Sequence, residues 1–174
     1  VYRPADAVET AECWELALRD AGGPSVLALT RQNLPQVRLE TGENLCAKGA
    51  YRLRAASAAR AVVLLATGSE VEVAFAVADA LEGRGIGADI VSMPCWSRFD
   101  AQDPAYRAQL LPEDVLLVSI EAGATLGWER YTGRSGLNIG LDRFGASAPA
   151  GDLYRHFGFT TEAITPRILE RLNK

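Results

Sequence analysis

Residues 61–66 read AVVLLA, an apolar run with no polar residue to mark a solvent-facing side. Such a run suits a strand covered on both faces, the environment of a parallel sheet between two helical layers. The next residues complete the unit. Thr67-Gly68-Ser69-Glu70 turns the chain, Ser69 and Glu72 have capping-box spacing, and Val73, Val77 and Leu81 recur at helical period to about Glu82. Gly83-Arg84-Gly85 ends that helix, and residues 86–93 form the next strand. Strand, helix, strand in this order demands a right-handed crossover.

The pattern continues with a helix over 103–111, a strand over 114–120, a helix near 125–131 and a short strand over 137–141. Helices follow at 152–157 and from Thr165 onward, with Pro166 at a first helical position. Residues 50–54 alternate, as a half-covered edge strand does. The expected fold is α/β, a three-layer α/β/α arrangement on a mostly parallel sheet.

The opening segment stands apart. Asp6 caps a first helix and Glu9 completes the box, with Ala7, Ala11, Trp14 and Leu18 on one face. Gly22-Gly23-Pro24 stops it, and the run 25–29 (SVLAL) predicts a buried strand ending at Thr30-Arg31-Gln32-Asn33. One helix and one strand cannot bury their own faces. Residues 1–34 therefore read as the last αβ unit of a preceding domain, expected to pack loosely without it. Residues 35–46 read as a linker and 47–174 as the main domain.

Composition removes several function classes. Against 22 acidic residues stand 18 basic ones, a net charge of −4, so there is no basic excess to bind nucleic acid. No apolar run approaches the roughly 18 residues of a membrane span. A single histidine, His156, cannot build a histidine metal cage. Cys13, Cys46 and Cys95 are odd in number and show no CxxC spacing, which favours a reducing, cytoplasmic setting. The start at Val1 has neither a methionine nor a signal-peptide pattern, which suggests a processed chain or a fragment.

In an open α/β sheet, ligands bind beyond the carboxyl ends of the strands. Arg31 directly follows a predicted strand, where its guanidinium can hold a phosphate or carboxylate through parallel hydrogen bonds, or else pair with a neighbouring acid. Glu121 lies at another strand end and Arg143, beside Asp142, at a third. They line one crevice or form an internal ion pair that orders the loops. Thr67-Gly68-Ser69 reads as a structural turn, because Glu70 repels an anion there. Gly83–Gly87 lies between helix and strand, the wrong order for a dinucleotide fingerprint. His156 has no nucleophile beside it, and no GxSxG elbow exists. Trp14, Trp96 and Trp128 read as core or interface aromatics.

The stretches RPADAVETAECWELAL (3–18), LTRQNLP (29–35), KGAYRL (48–53), ATGSEVEVA (66–74), IVSMPCWSRFDAQDPAYRAQLLP (90–112), EAGATLGWERYTG (121–133) and LDRFGASAPAGDLYRHFGFT (141–160) are collinear. Together they resemble the C-terminal part of bacterial transketolases. The resemblance implies a homodimeric enzyme that uses thiamine diphosphate and Mg²⁺ or Ca²⁺. Such an enzyme moves a two-carbon ketol unit between sugar phosphates, the chemistry of the pentose phosphate pathway. It implies that residues 1–34 end a pyrimidine-binding domain and that those from 47 onward form the C-terminal domain. It assigns Arg31, in the TRQN motif, to the sugar phosphate. It assigns no catalytic, cofactor or metal residue to this chain, which is expected to be inactive alone and to need the rest of its subunit and a second subunit. Two other readings are an independent, non-catalytic module and a related enzyme such as a dihydroxyacetone synthase or a deoxyxylulose-phosphate synthase.

Overall fold

Successive side chains of a strand leave opposite faces of its sheet. In the second strand, β2 (Arg60–Ala66), Val62, Leu64 and Ala66 enter one apolar cluster while Val63 and Leu65 enter another, all fully buried. Covering both faces is what excludes polar residues from this run. Each buried leucine contributes about 1.5–3 kcal/mol relative to an exposed one. The computed structural model, which describes residues 1–173, shows β2 at the centre of a five-stranded sheet. The other strands are β1 (Tyr51–Arg54), β3 (Gly87–Ser92), β4 (Leu116–Ile120) and β5 (Leu137–Ile139), in the order β1-β3-β2-β4-β5. Only β1 is antiparallel, pairing Tyr51 with Ser92 of β3.

One helical layer holds α2 (Glu70–Glu82) and α7 (Thr161–Leu172), whose Val77, Leu81, Ile164 and Ile168 are fully buried against β2, β3 and β4. The other holds α3 (Trp96–Asp100), α4 (Pro104–Leu110) and α5 (Glu129–Thr132). Phe99, Trp128 and Tyr131 fill it, and Trp96 packs edge-on to Trp128 at 4.9 Å between ring centroids. The architecture is α/β/α in three layers. An eight-residue helix, α6 (Ala150–Phe157), has no buried residue of its own and leads through Gly158 into α7.

Three local expectations change. Ser69 makes no capping bond; its hydroxyl turns to the Glu70 carboxylate at 2.8 Å, and Glu72 lies exposed. The last helix begins at Thr161, not Thr165, so Pro166 lies inside it, on the exposed side. The run 25–29 forms no extended strand. It makes a single parallel bridge, Leu27 to Tyr2, and leaves Val26 55% and Leu29 51% exposed. A strand needs neighbours along its length, and among the described residues this run has only the bridge to Tyr2.

The first helix, α1 (Ala7–Arg19), is not loosely held. Its Cys13 and Leu16 pack with Tyr2, Cys46, Tyr51 and Cys95 over the edge of the sheet. Gly49 lets the chain pass close against the start of α3, because a Cβ there would stand 2.2 Å from the Phe99 amide, and its φ of 78° is left-handed. Part of the expected linker is structural. Arg38 is 4% exposed and pairs with Glu12 at 3.1 Å, and a 3₁₀ helix, Leu45–Lys48, follows.

Glu9 does more than cap. Asp6 Oδ1 accepts from the Glu9 amide at 2.9 Å, while Glu9 Oε2 accepts from the Ala5 amide at 2.6 Å. The other oxygen, Oε1, accepts from the Tyr51 hydroxyl at 2.6 Å and the Ser92 hydroxyl at 2.5 Å, joining α1 to β1 and β3. Burial drives the Glu9 carboxyl above its ordinary 4.5, against the opposing hydrogen bonds from Ser92, Tyr51 and Ala5. A carboxyl with a raised pKa binds its proton more tightly in the folded state than in the unfolded one. Its stabilising contribution is therefore full below pH 4.5 and declines as pH rises through the folded value. Urea unfolding across a pH series is expected to show the wild type losing stability relative to Glu9→Gln as pH climbs above that point. Parallel pH profiles for the two proteins would contradict this.

Candidate functional site

The strands β2 and β4 lie side by side and parallel, yet the chain leaves them in opposite directions, toward β3 and β5 respectively. Their carboxyl ends, at Thr67 and Glu121, therefore frame the topological switch point where open α/β sheets take ligands. Here the crevice is entered by the chain's own Arg3. The Arg3 amide donates to Pro94 O at 2.8 Å, and Arg3 O accepts from the Gly68 amide at 3.0 Å and the Thr67 hydroxyl at 3.3 Å. Its guanidinium then reaches two carboxylates, Glu70 at 3.3 Å through Nη2 and Glu121 through Nη1.

Both acids are further held. Glu70, 1% exposed, accepts from the Ser69 and Tyr154 hydroxyls, and Glu121 Oε2 accepts from the Trp128 indole at 2.5 Å. Burial first, and Glu70 second, push the Tyr154 phenol up to about 12, so it stays a donor through the physiological range. Beside the pair lies a cleft of about 450 Å³, walled by Met93, Pro94, Trp96 and Leu126. Both Glu121 oxygens are engaged, so the carboxylate orders the crevice and is not free to act as a base.

The predicted residues fall in different places. Glu121 lines the crevice, but Arg143 does not join it. Arg143 is exposed and lies over the Phe157 ring at 5.9 Å, and its neighbour Asp142 is taken by the Thr125 amide at 2.8 Å and hydroxyl at 2.7 Å. The loop after β5 thus turns Arg143 toward α6. Arg31 is exposed in the strap that follows residues 25–29 and has no ion-pair or hydrogen-bond partner among the described residues. A depression of about 170 Å³ opens beside this strap, between Leu29, Thr30, Arg3 and Ser69. His156 lies exposed on α6 against Phe157. Trp128 is core and Trp96 is partly buried, whereas Trp14 is 51% exposed. Among the described residues, no three His, Cys, Asp or Glu side chains come together as metal ligands.

Reading from residues alone missed Arg3. The available signal was indirect: two carboxylates beyond the ends of β2 and β4, Glu70 at the start of α2 and Glu121, call for a cation, and no arginine near them in sequence supplies it.

The family model for the transketolase-like C-terminal domain matches residues 49–160. The chain is 53% identical over 176 residues to a transketolase of Sinorhizobium medicae, covering 100% of this chain and 25% of that protein. It is 48% identical over 174 residues to one of Rhodobacter capsulatus, covering 96% of this chain and 26% of that protein. Among solved structures, transketolase from Leishmania mexicana superposes with a TM-score of 0.89 at 40% identity, covering 99% of this chain and 25% of that one. A transketolase from Pichia stipitis in complex with sedoheptulose 7-phosphate does so with a TM-score of 0.89 at 37% identity, with the same coverage of 99% and 25%. The chain thus spans about a quarter of the length of the relatives it matches.

Removing one member of a buried ionic cluster leaves the others uncompensated, at a cost of about 3–5 kcal/mol. Arg3 is partly open to solvent, which places Arg3→Met near the lower end of that range. Urea denaturation is expected to show this loss, with Arg143→Ala within about 0.5 kcal/mol of wild type as the surface comparison. Equal effects of the two substitutions would show that Arg3 holds nothing together.

Proposed function

Because this chain belongs to the transketolase family, of which it carries the C-terminal domain, we propose that it is the C-terminal portion of a longer subunit. That subunit transfers a two-carbon ketol unit from ketose phosphates to aldose phosphates. Its coverage of transketolases, at up to 53% identity over the whole chain, is the observation that carries the reading. Residues 1–34 are the end of a pyrimidine-binding domain, 35–46 a linker and 47–174 the C-terminal domain. The exposed Val26 and Leu29, together with Trp14 and Leu18 on the outer side of α1, are the apolar surfaces that the preceding part of the subunit covers.

Arg31 is the residue of this chain that meets substrate. An exposed guanidinium without an acid partner is free to present two parallel N–H groups to a phosphate, and sugar phosphates are the substrate class. The contact is to a part of the sugar remote from the bond that breaks, so it anchors and orients without changing during reaction. On this reading, thiamine diphosphate and its divalent cation belong with the rest of the subunit. When bound there, that group supplies the carbanion chemistry of ketol transfer. The working enzyme is a cytoplasmic homodimer of the pentose phosphate pathway, and the 174-residue chain alone is inactive.

A charge-assisted hydrogen bond is worth about 1.5–3 kcal/mol. In the full-length subunit, Arg31→Leu is expected to raise KM for a ketose phosphate about 10- to 100-fold while leaving kcat within about twofold. An unphosphorylated ketose should be unaffected. Steady-state kinetics on both substrates checks this, and a loss confined to kcat would remove Arg31 from phosphate binding. Turnover by the purified 174-residue chain would overturn the assignment of the catalytic groups to the rest of the subunit.

A further inference from the structure

At the end of the sheet opposite Arg3, a groove of about 520 Å³ runs between α4 and α5 beside the first residues of β4 and the loop before β5. Three arginines from three separate elements line it: Arg107 of α4, Arg130 of α5 and Arg134 of the loop. Arg130 is neutralised by Asp100 at 2.6 Å. The other two have no acid partner among the described residues. Arg107 is the more telling. Its Nε is buried with no hydrogen-bond partner. Arg38 and Arg54 also have orphaned buried nitrogens, but each is paired through another nitrogen, to Glu12 and Asp79 respectively. Arg107 has no such compensation: it lines the groove, and none of its side-chain nitrogens has an acid or hydrogen-bond partner among the described residues.

From these observations we propose that the groove is a binding site for a phosphate-bearing small molecule, distinct from the Arg31 position. Two unpaired guanidinium forks reaching from different elements suit a tetrahedral dianion with several acceptor oxygens better than a planar carboxylate with two. The remaining free charge in the lining is Glu113, exposed at the mouth, so the unpaired balance inside favours an anion. The loop is set in place by α7. Arg171 donates to the carbonyls of Ser135 at 3.0 Å, Arg134 at 3.4 Å and Gly136 at 3.5 Å. That clamp preorganises the Arg134 and Ser135 side chains at the rim. The floor is apolar, with Val115 and Leu117, and the volume exceeds what one phosphate fills, so it admits an organic group of sugar or nucleoside size.

The test is a titration followed through backbone amide resonances, using inorganic phosphate, a sugar monophosphate and a nucleoside monophosphate as separate probes. Shifts centred on Arg134, Ser135 and Gly136 are expected. Arg134→Gln, on an exposed loop, should weaken binding about tenfold, and the double variant Arg107→Gln/Arg134→Gln should abolish it. Arg31→Leu should leave it unchanged. Equal affinity for all three probes identifies a site that reads the phosphate alone, and tighter binding of one monophosphate identifies the organic group it prefers; either supports the assignment. No shifts at the loop with any probe, unchanged binding by Arg134→Gln, or binding lost in Arg31→Leu and retained in the double variant would each overturn it.

Discussion

One guanidinium holds the amino-terminal segment to the sheet. Arg3 lies where β2 and β4 part company, its backbone sewn to Thr67, Gly68 and Pro94 and its side chain shared between Glu70 and Glu121. Crevices of this kind are where doubly wound sheets keep their ligands, because the diverging connections leave room and the strand ends leave polar groups. In this chain the room is given over to an internal cation. The two carboxylates are tolerable in so buried a place only because Arg3 is there, and Tyr154 and Trp128 are oriented by the same acids. The switch point has become a joint.

A second buried polar system works beside the first. Glu9 receives hydrogen bonds from Tyr51, Ser92 and the Ala5 amide, while Asp6 Oδ2 receives the amides of Val37 and Arg38 at 3.0 and 2.7 Å. Arg38 closes the ring through Glu12 and lies 5.1 Å over the Tyr51 face. Apolar packing of α1 supplies area, but these groups supply geometry, since each donor has one acceptor it can satisfy. That is why α1 keeps a defined seat on the sheet edge although most of its relatives' length lies outside this chain.

The central elements were legible because their signals are local. An unbroken apolar run gave β2, largely apolar runs interrupted by Asp89 and Ser119 gave β3 and β4, and the Val73, Val77, Leu81 period gave α2. What escaped depends on contacts distant in sequence. The Arg3–Glu121 pair spans well over half the chain, and no spacing rule connects its members. Glu9 was readable as a cap from Asp6, three residues before it, but its bonds to Tyr51 and Ser92 were not. The sequence places Glu121 at a strand end and offers Arg143 as a companion, but the loop after β5 turns Arg143 toward Phe157 instead. The run 25–29 looked like a strand on composition, and composition cannot say whether neighbouring strands are at hand. Pro166 was read as a helix start because its ring suits that position; an exposed site inside a helix suits it less well but is tolerated when packing on the opposite face decides.

The antiparallel course of β1 has a topological consequence. Because Tyr51 pairs with Ser92, the chain enters the sheet at the carboxyl ends of the other strands, the same end at which Arg3 docks. The described hydrogen bonds and ion pairs from Arg3 and Glu9 to the strands and the loops that follow them therefore lie at that one end. Had this strand run the other way, the incoming polypeptide would first have to traverse the full height of the sheet. With its fastenings on one border, the leading segment is tied to the sheet without altering the pairing of any two strands.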